Sequence, residues 1–152
     1  MIIRQAGPDE LARVLGWRMK VLHTVFEIAD EDPLTEMRQA NEQYYIEHLG
    51  KDHLAFFAEE DGKWLASGAI CLQQEMPSPD NPNGRCAYLM NICTDPAYRH
   101  QGIAHALVQT MIEEARRRDI PKIYLETTEA GKPLYESLGF HDYPDLMKLK
   151  EE

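Results

Sequence analysis

The sequence predicts an α/β fold, α+β in schemes that separate the two classes: a mixed, mostly antiparallel sheet with helices on both faces. Three observations lead there. Apolar residues recur at helical spacing in four segments and at strand spacing between them, so neither element type alone buries the stripes. Asp61-Gly62 separates two apolar runs and marks a hairpin, which makes the central strands antiparallel. With 152 residues the chain is one domain, residues 1–152, long enough to bury roughly 70% of the surface its unfolded form exposes.

Ile2, Ile3 and Arg4 read as an opening strand that ends before Gly7-Pro8. Leu11, Val14, Leu15, Arg18, Met19, Leu22, Val25 and Phe26 then repeat at helical spacing, with Pro8, Asp9 and Glu10 where a helix start favours a fixed φ and negative charge. The acidic stretch Glu27, Asp30, Glu31, Asp32 ends at Pro33, and a second helix carries Leu34, Met37, Tyr44, Tyr45 and Leu49 up to Gly50, a C-cap. Residues 54–58 and 64–72 are the hairpin strands. Pro77, Pro79, Pro82 and Gly84 leave residues 75–84 as a long exposed loop. The chain returns through a strand over 86–94, stopped by Asp95-Pro96. Ile103, Leu107, Met111 and Ala115 recur every four residues, ahead of Arg116-Arg117-Arg118, where cations suit a helix C-terminus. A strand over 122–126, a short helix over 130–138 stopped by Gly139, and alternation over 140–150 that predicts one or two closing strands complete the order.

Charge bounds the function. Sixteen Lys plus Arg against twenty-six Asp plus Glu give a formal charge of -10, which argues against a nucleic-acid partner but leaves room for a local basic pocket around one phosphorylated ligand. Apolar runs of about five residues fall far short of a membrane span, and Met1-Ile2-Ile3-Arg4 leads into polar sequence without a secretory core. Cys71, Cys86 and Cys93 lack C-x-x-C spacing, so thiols in a reducing, cytoplasmic setting are expected. His23, His48, His53, His100, His105 and His141 are scattered without a ligand motif, and no metal site is expected.

The segment from Asn91 to Ala104 carries the chemistry. A strand runs into a small and polar turn that opens directly onto a strong helix, leaving the N–H groups of Gln101, Gly102, Ile103 and Ala104 converging at the positive end of the helix dipole. Gly102 permits close approach to the backbone, and Arg99 and His100 add charge-assisted contacts. That is an anion site. It matches neither G-x-G-x-x-G nor G-x-x-x-x-G-K-[ST], so the dinucleotide and nucleoside-triphosphate readings lose their sequence support.

Arg99-His100-Gln101-Gly102-Ile103-Ala104, an R-x-x-G-x-A run preceded by Thr94-Asp95-Pro96, resembles the acetyl-coenzyme A signature of the GCN5-related N-acetyltransferases. Leu134-Tyr135-Glu136-Ser137-Leu138-Gly139-Phe140 is similar to that family's L-Y-x-x-x-G-F segment, in the expected order and separation. The resemblance spans residues 88–140 and implies the acyl-CoA N-acyltransferase fold, with acetyl-CoA as co-substrate, a small-molecule amine as acceptor and a homodimer as the expected assembly. It implies a pyrophosphate on the amides of Gln101 to Ala104, with Arg99 and His100 nearby, and a pantetheine paired along Ile92, Cys93 and Thr94. A backbone N–H near Ile92 then meets the thioester carbonyl, where developing oxyanion charge needs a preorganised donor.

Tyr135 is by the same implication a cofactor contact and the general acid for the departing thiolate; a phenol of pKa about 10 is protonated at neutral pH. Its alternative role is to fill space beside the cofactor. Glu75, after the third strand, is a base acting through water or else a solvated loop carboxylate. Asn91 positions the acceptor. Arg18 either binds an acceptor carboxylate or snorkels to solvent. The acidic stretch at 27–32 either attracts a cationic amine or is an ordinary solvated turn. Cys93 has no activating pattern around it, so direct attack in a ternary complex is expected over an acyl-cysteine. A reading from a different class is a non-catalytic CoA-binding regulatory or structural domain that keeps the anion site without a productive acceptor pocket.

Overall fold

The computed structural model describes residues 1–151. Its elements follow in the order β1 (Ile2–Gln5), α1 (Leu11–Val25), α2 (Thr35–His48), β2 (His53–Glu60), β3 (Lys63–Gln74), β4 (Arg85–Thr94), α3 (Ile103–Arg117), β5 (Lys122–Leu125) and α4 (Lys132–Ser137), with short 3-10 turns at Pro8–Glu10 and Pro96–Tyr98. The five strands lie in sequence order in one sheet, antiparallel from β1 to β4 and parallel between β4 and β5. The crossover through α3 makes that one parallel pair possible, because parallel neighbours need a long connection.

Asp61 and Gly62 both take positive φ, 51° and 77°, and pair Glu60 with Lys63. Such a turn matches strand twist, which is why Asp-Gly predicts it. On β2, Leu54, Phe56 and Ala58 face the α3 layer while Ala55 and Phe57 face the α1 layer. Burial on both faces makes the strand read as one unbroken apolar run. Ile103, Leu107, Val108, Met111, Ile112 and Ala115 of α3 are buried, as their spacing requires. Val14, Leu15, Met19 and Leu22 of α1 close the other core with Tyr45, Phe57 and Trp64. No described helix is long and apolar enough to cross a membrane.

Two expectations are corrected. The loop at 75–84 is not wholly exposed: Asn81 is buried and its amide donates to the Glu75 carboxylate at 3.0 Å and to the Arg85 carbonyl at 3.2 Å. Residues 140–150 form no strand, although they alternate as one. Alternation makes a strand competent to pair without supplying a partner, and nothing among the described residues pairs with the outer edge of β5.

Candidate active site

β3 and β4 are in register from Gln74↔Arg85 to Ala69↔Met90, then resume at Ser67↔Cys93, so β4 carries one extra residue at Asn91-Ile92. Asn91 sits at φ 55°, and its carbonyl accepts a 2.7 Å hydrogen bond from the Ser67 hydroxyl. A bulge leaves its extra residue out of the ladder, so an amide at this point lacks a strand partner. α3 packs directly beneath, since a Cβ on Gly68 would stand 2.8 Å from Met111 Sδ and Cε.

Pairing between β4 and β5 stops at Leu89↔Leu125, while β4 runs on to Thr94. From Met90 onward the β5 side of β4 is therefore a sheet edge facing a gap, with main-chain groups free to take an extended polyamide as an added strand. Ile92 packs into the α3-side core, and Cys93 and Thr94 line a small cavity of about 200 Å³ beneath Trp17 and Val21 of α1. Burial pushes the Cys93 thiol up, which keeps it protonated and a poor nucleophile.

Beyond Thr94 the chain reaches the start of α3. His100 and Gly102 are both left-handed, at φ 63° and 79°, and Gly102 caps the helix without any side-chain hydrogen bond. Ala106 N already bonds Gly102 O at 3.1 Å, so the amides of Ile103, Ala104 and His105 precede the first intrahelical acceptor and point outward. A Cβ built on Gly102 meets nothing within 4 Å: the space above these amides is open. Left-handed residues alternating with ordinary ones gather N–H groups into an anion-binding concavity. Arg99 lies back along β4, its Nε 3.4 Å from the Thr94 carbonyl. The open cradle and the free edge of β4 fit a diphosphate followed by a pantetheine arm.

Tyr135 is buried on α4 in the same apolar cluster as Leu89 and Ile103, with Ile92 packed against it. Burial raises its pKa above the usual phenol value and keeps it a proton donor. On the opposite face Arg18 donates from Nη1 to Asn91 Oδ1 at 2.9 Å and from Nε to Asn41 Oδ1 at 3.2 Å. The two expected acceptor residues, Arg18 and Asn91, are thus brought together at the bulge. Tyr44 shares a 2.8 Å hydrogen bond with His53 Nδ1 in the buried layer behind them, and burial followed by the nearby Arg18 charge lowers His53 to about 4.

Glu75 is not brought to this place. It follows the end of β3 beside Gly84, six residues of β4 short of Asn91, or about 20 Å at strand rise. Its carboxylate is held by Asn81 and Lys122 at 3.0 Å each, which lowers its pKa and makes it a weaker proton acceptor. Sequence reading missed Asn41 and Ser67, which have no local motif, and Glu126. Glu126 directly follows Leu125, the last β5 residue paired to β4, and so stands at the fork of the two strands. Its charge helps burial push the Tyr88 phenol up to about 12. A carboxylate ending an apolar strand was the available signal. Among the described residues no cluster of three or more His, Cys, Asp or Glu is placed to hold a metal.

Comparison with known proteins gives a consistent picture. The family model described as "Acetyltransferase (GNAT) family" matches residues 22–140. A glucosamine 6-phosphate N-acetyltransferase of Trypanosoma brucei brucei is 25% identical over 122 residues, covering 80% of this chain and 81% of that protein. An Escherichia coli (strain K12) ribosomal protein bS18-alanine N-acetyltransferase is 30% identical over 105 residues, 67% of this chain and 64% of that one. A crystal structure of a predicted acetyltransferase with acetyl-CoA, from Clostridium acetobutylicum, superposes with a TM-score of 0.84 at 25% identity, covering 98% of this chain and 95% of that chain.

Proposed function

The chain belongs to the GNAT family of acetyltransferases, and from that premise we propose that it moves the acetyl group of acetyl-CoA directly onto the amine of a small molecule. The observation that carries the reading is one continuous path: the open amide cradle at Gly102, the unpaired edge of β4, and the bulge at Asn91 where that edge meets Arg18.

Ile103, Ala104 and His105 amides, with Arg99, would hold the diphosphate of acetyl-CoA, and Ile92 to Thr94 its pantetheine. The bulge amide donates to the thioester oxygen as negative charge grows there, a contact stronger in the transition state than in the ground state. Asn91 and Arg18 orient the acceptor on the α1 and α2 face. The amine nitrogen forms the new C–N bond as the C–S bond breaks, its surplus proton leaves to Glu126 directly or through water, and Tyr135 gives its phenolic proton to the thiolate. The protonated Cys93 supports a direct transfer.

The test is coenzyme A thiol release from acetyl-CoA across an amine panel, repeated with Glu126→Gln. Release that depends on a particular amine, and a lower kcat with an altered pH profile in the variant, is expected. Cofactor binding without turnover on any amine would favour instead a non-catalytic CoA-binding domain, and a Glu126→Gln enzyme as fast as the wild type would remove Glu126 as base.

A further inference from the structure

Arg18 is a half-buried charge without a counter-ion. Among the described residues the half-buried arginines are Arg4, Arg18 and Arg118. Arg4 pairs with Glu10 at 2.9 Å and Glu59 at 3.1 Å, and Arg118 with Glu114 at 2.8 Å. Arg18 has no carboxylate partner among the described residues and is held by two neutral amide oxygens, Asn91 Oδ1 on Nη1 and Asn41 Oδ1 on Nε. Aspartate has the shape to fill either position and would neutralise the guanidinium, yet this acidic chain places asparagine at both. Asn41 donates in turn to the Met37 carbonyl at 2.9 Å, which fixes its oxygen toward Arg18. The Asp52 carboxylate is engaged by His48 at 2.7 Å. Burial dominates the pKa values of Tyr45, His53 and Cys71, and in all three the Arg18 charge acts as well, favouring the deprotonated form.

Resting on the acetyltransferase reading, we infer that the acceptor is an amine carrying its own oxyanion, a carboxylate or a phosphate, which binds the fork between Nη1 and Nη2 of Arg18. The two asparagines engage one N–H of Nη1 and the N–H of Nε, so the other Nη1 hydrogen and both on Nη2 remain to donate. Adjacent hydrogens of that kind take the two oxygens of one anion side by side. A cation drawn partly out of water and left unpaired is costly, and a ligand that brings the missing charge removes the cost. Only the Asn91 side chain separates the guanidinium from the bulge where the thioester would lie, so anion and amine belong to one small molecule with few bonds between them. A polyamine fits poorly, because its second ammonium would meet Arg18 as a like charge.

Matched acceptors test this: the standard L-amino acids against their methyl esters, O-phosphoethanolamine against ethanolamine, and spermidine as a purely cationic amine, each followed by coenzyme A thiol release. The anionic member of a productive pair is expected to have the higher kcat/KM, and which pair responds separates carboxylate from phosphate. A methyl ester has the more basic-free, more nucleophilic amine at neutral pH, so a preference for the acid cannot come from amine reactivity. Arg18→Gln should shrink the acid-to-ester ratio roughly 10- to 150-fold, mainly through KM, the size of one charge-assisted contact. Asn41→Asp, which supplies an internal carboxylate, should shrink it too. Spermidine or a neutral ester as the best acceptor, or a ratio unchanged in Arg18→Gln, would overturn the inference. A second measurement needs no turnover: the Arg18 Nε–H signal is followed by NMR while sodium acetate, inorganic phosphate or, as control, sodium chloride is added. A saturable shift with acetate or phosphate, lost in Asn41→Asp, is expected; no shift beyond that of chloride would overturn the anion seat. Should no amine be acetylated, the acetyltransferase reading fails and the titration alone decides whether Arg18 holds an anion.

Discussion

Gly102→Ala tests the diphosphate cradle, because the structure separates its two effects. Gly102 sits at φ 79° and caps α3 with nothing within 4 Å of an added Cβ, so the methyl group clashes with no protein atom. The left-handed conformation costs a residue with a Cβ about 1–2 kcal/mol. That cost is present with and without ligand, so it lowers thermal stability and cancels from binding. The methyl group instead enters the open space where the diphosphate would sit over the Ile103 and Ala104 amides. Displacing one charge-assisted hydrogen bond removes about 1.5–3 kcal/mol, a weakening of coenzyme A binding of roughly 10- to 150-fold. Calorimetric titration with coenzyme A, beside a thermal melt of the free protein, reads the two effects independently. A folded variant with unchanged coenzyme A affinity would show that phosphate is not held at this helix start.

Tyr135→Phe should lower kcat about 10²- to 10⁴-fold, the usual contribution of a positioned acid, with coenzyme A affinity retained; equal turnover on a productive amine would reject Tyr135 as the proton donor. Arg18→Ala should raise KM for the acceptor about tenfold or more while coenzyme A affinity stays at the wild-type value, and a change confined to kcat would refute its role in acceptor binding. His53 predicts an acid-side loss of stability. Its folded pKa, about 4, lies below the unfolded 6.5, so the unfolded state binds the proton first as pH falls. Stability is full above pH 6.5 and declines down to about pH 4, by about 3 kcal/mol over the 2.5-unit shift. Urea unfolding at several pH values should show a shallower decline in His53→Gln than in the wild type, and parallel profiles would refute the assignment.

Local chemistry made much of the fold legible. Asp61-Gly62 dictates its own turn, the four-residue recurrence from Ile103 to Ala115 dictates a buried helical stripe, and a glycine before that helix dictates an open amide cluster. Each is settled by residues within a few positions of one another. The bulge was not legible, because it depends on which β3 residue faces which β4 residue. Asn91 alone gives no sign that Ser67 holds its carbonyl and Arg18, 73 positions away, its side chain. Glu75 looked equivalent to any carboxylate following a strand until register put it at the far end of β4, tied to Lys122.

The tail shows the same boundary. Its alternation makes residues 140–150 competent to pair without making them a strand, since pairing needs a second edge, and edges exist only once a sheet has formed. Sequence therefore determined the family, the turn at Asp61-Gly62 and the buried stripe of α3, all properties of short contiguous segments. Tertiary structure alone decided where the strands part, which carboxylate stands at their fork, and that one sheet edge is left open, because those follow from contacts between residues distant in the chain.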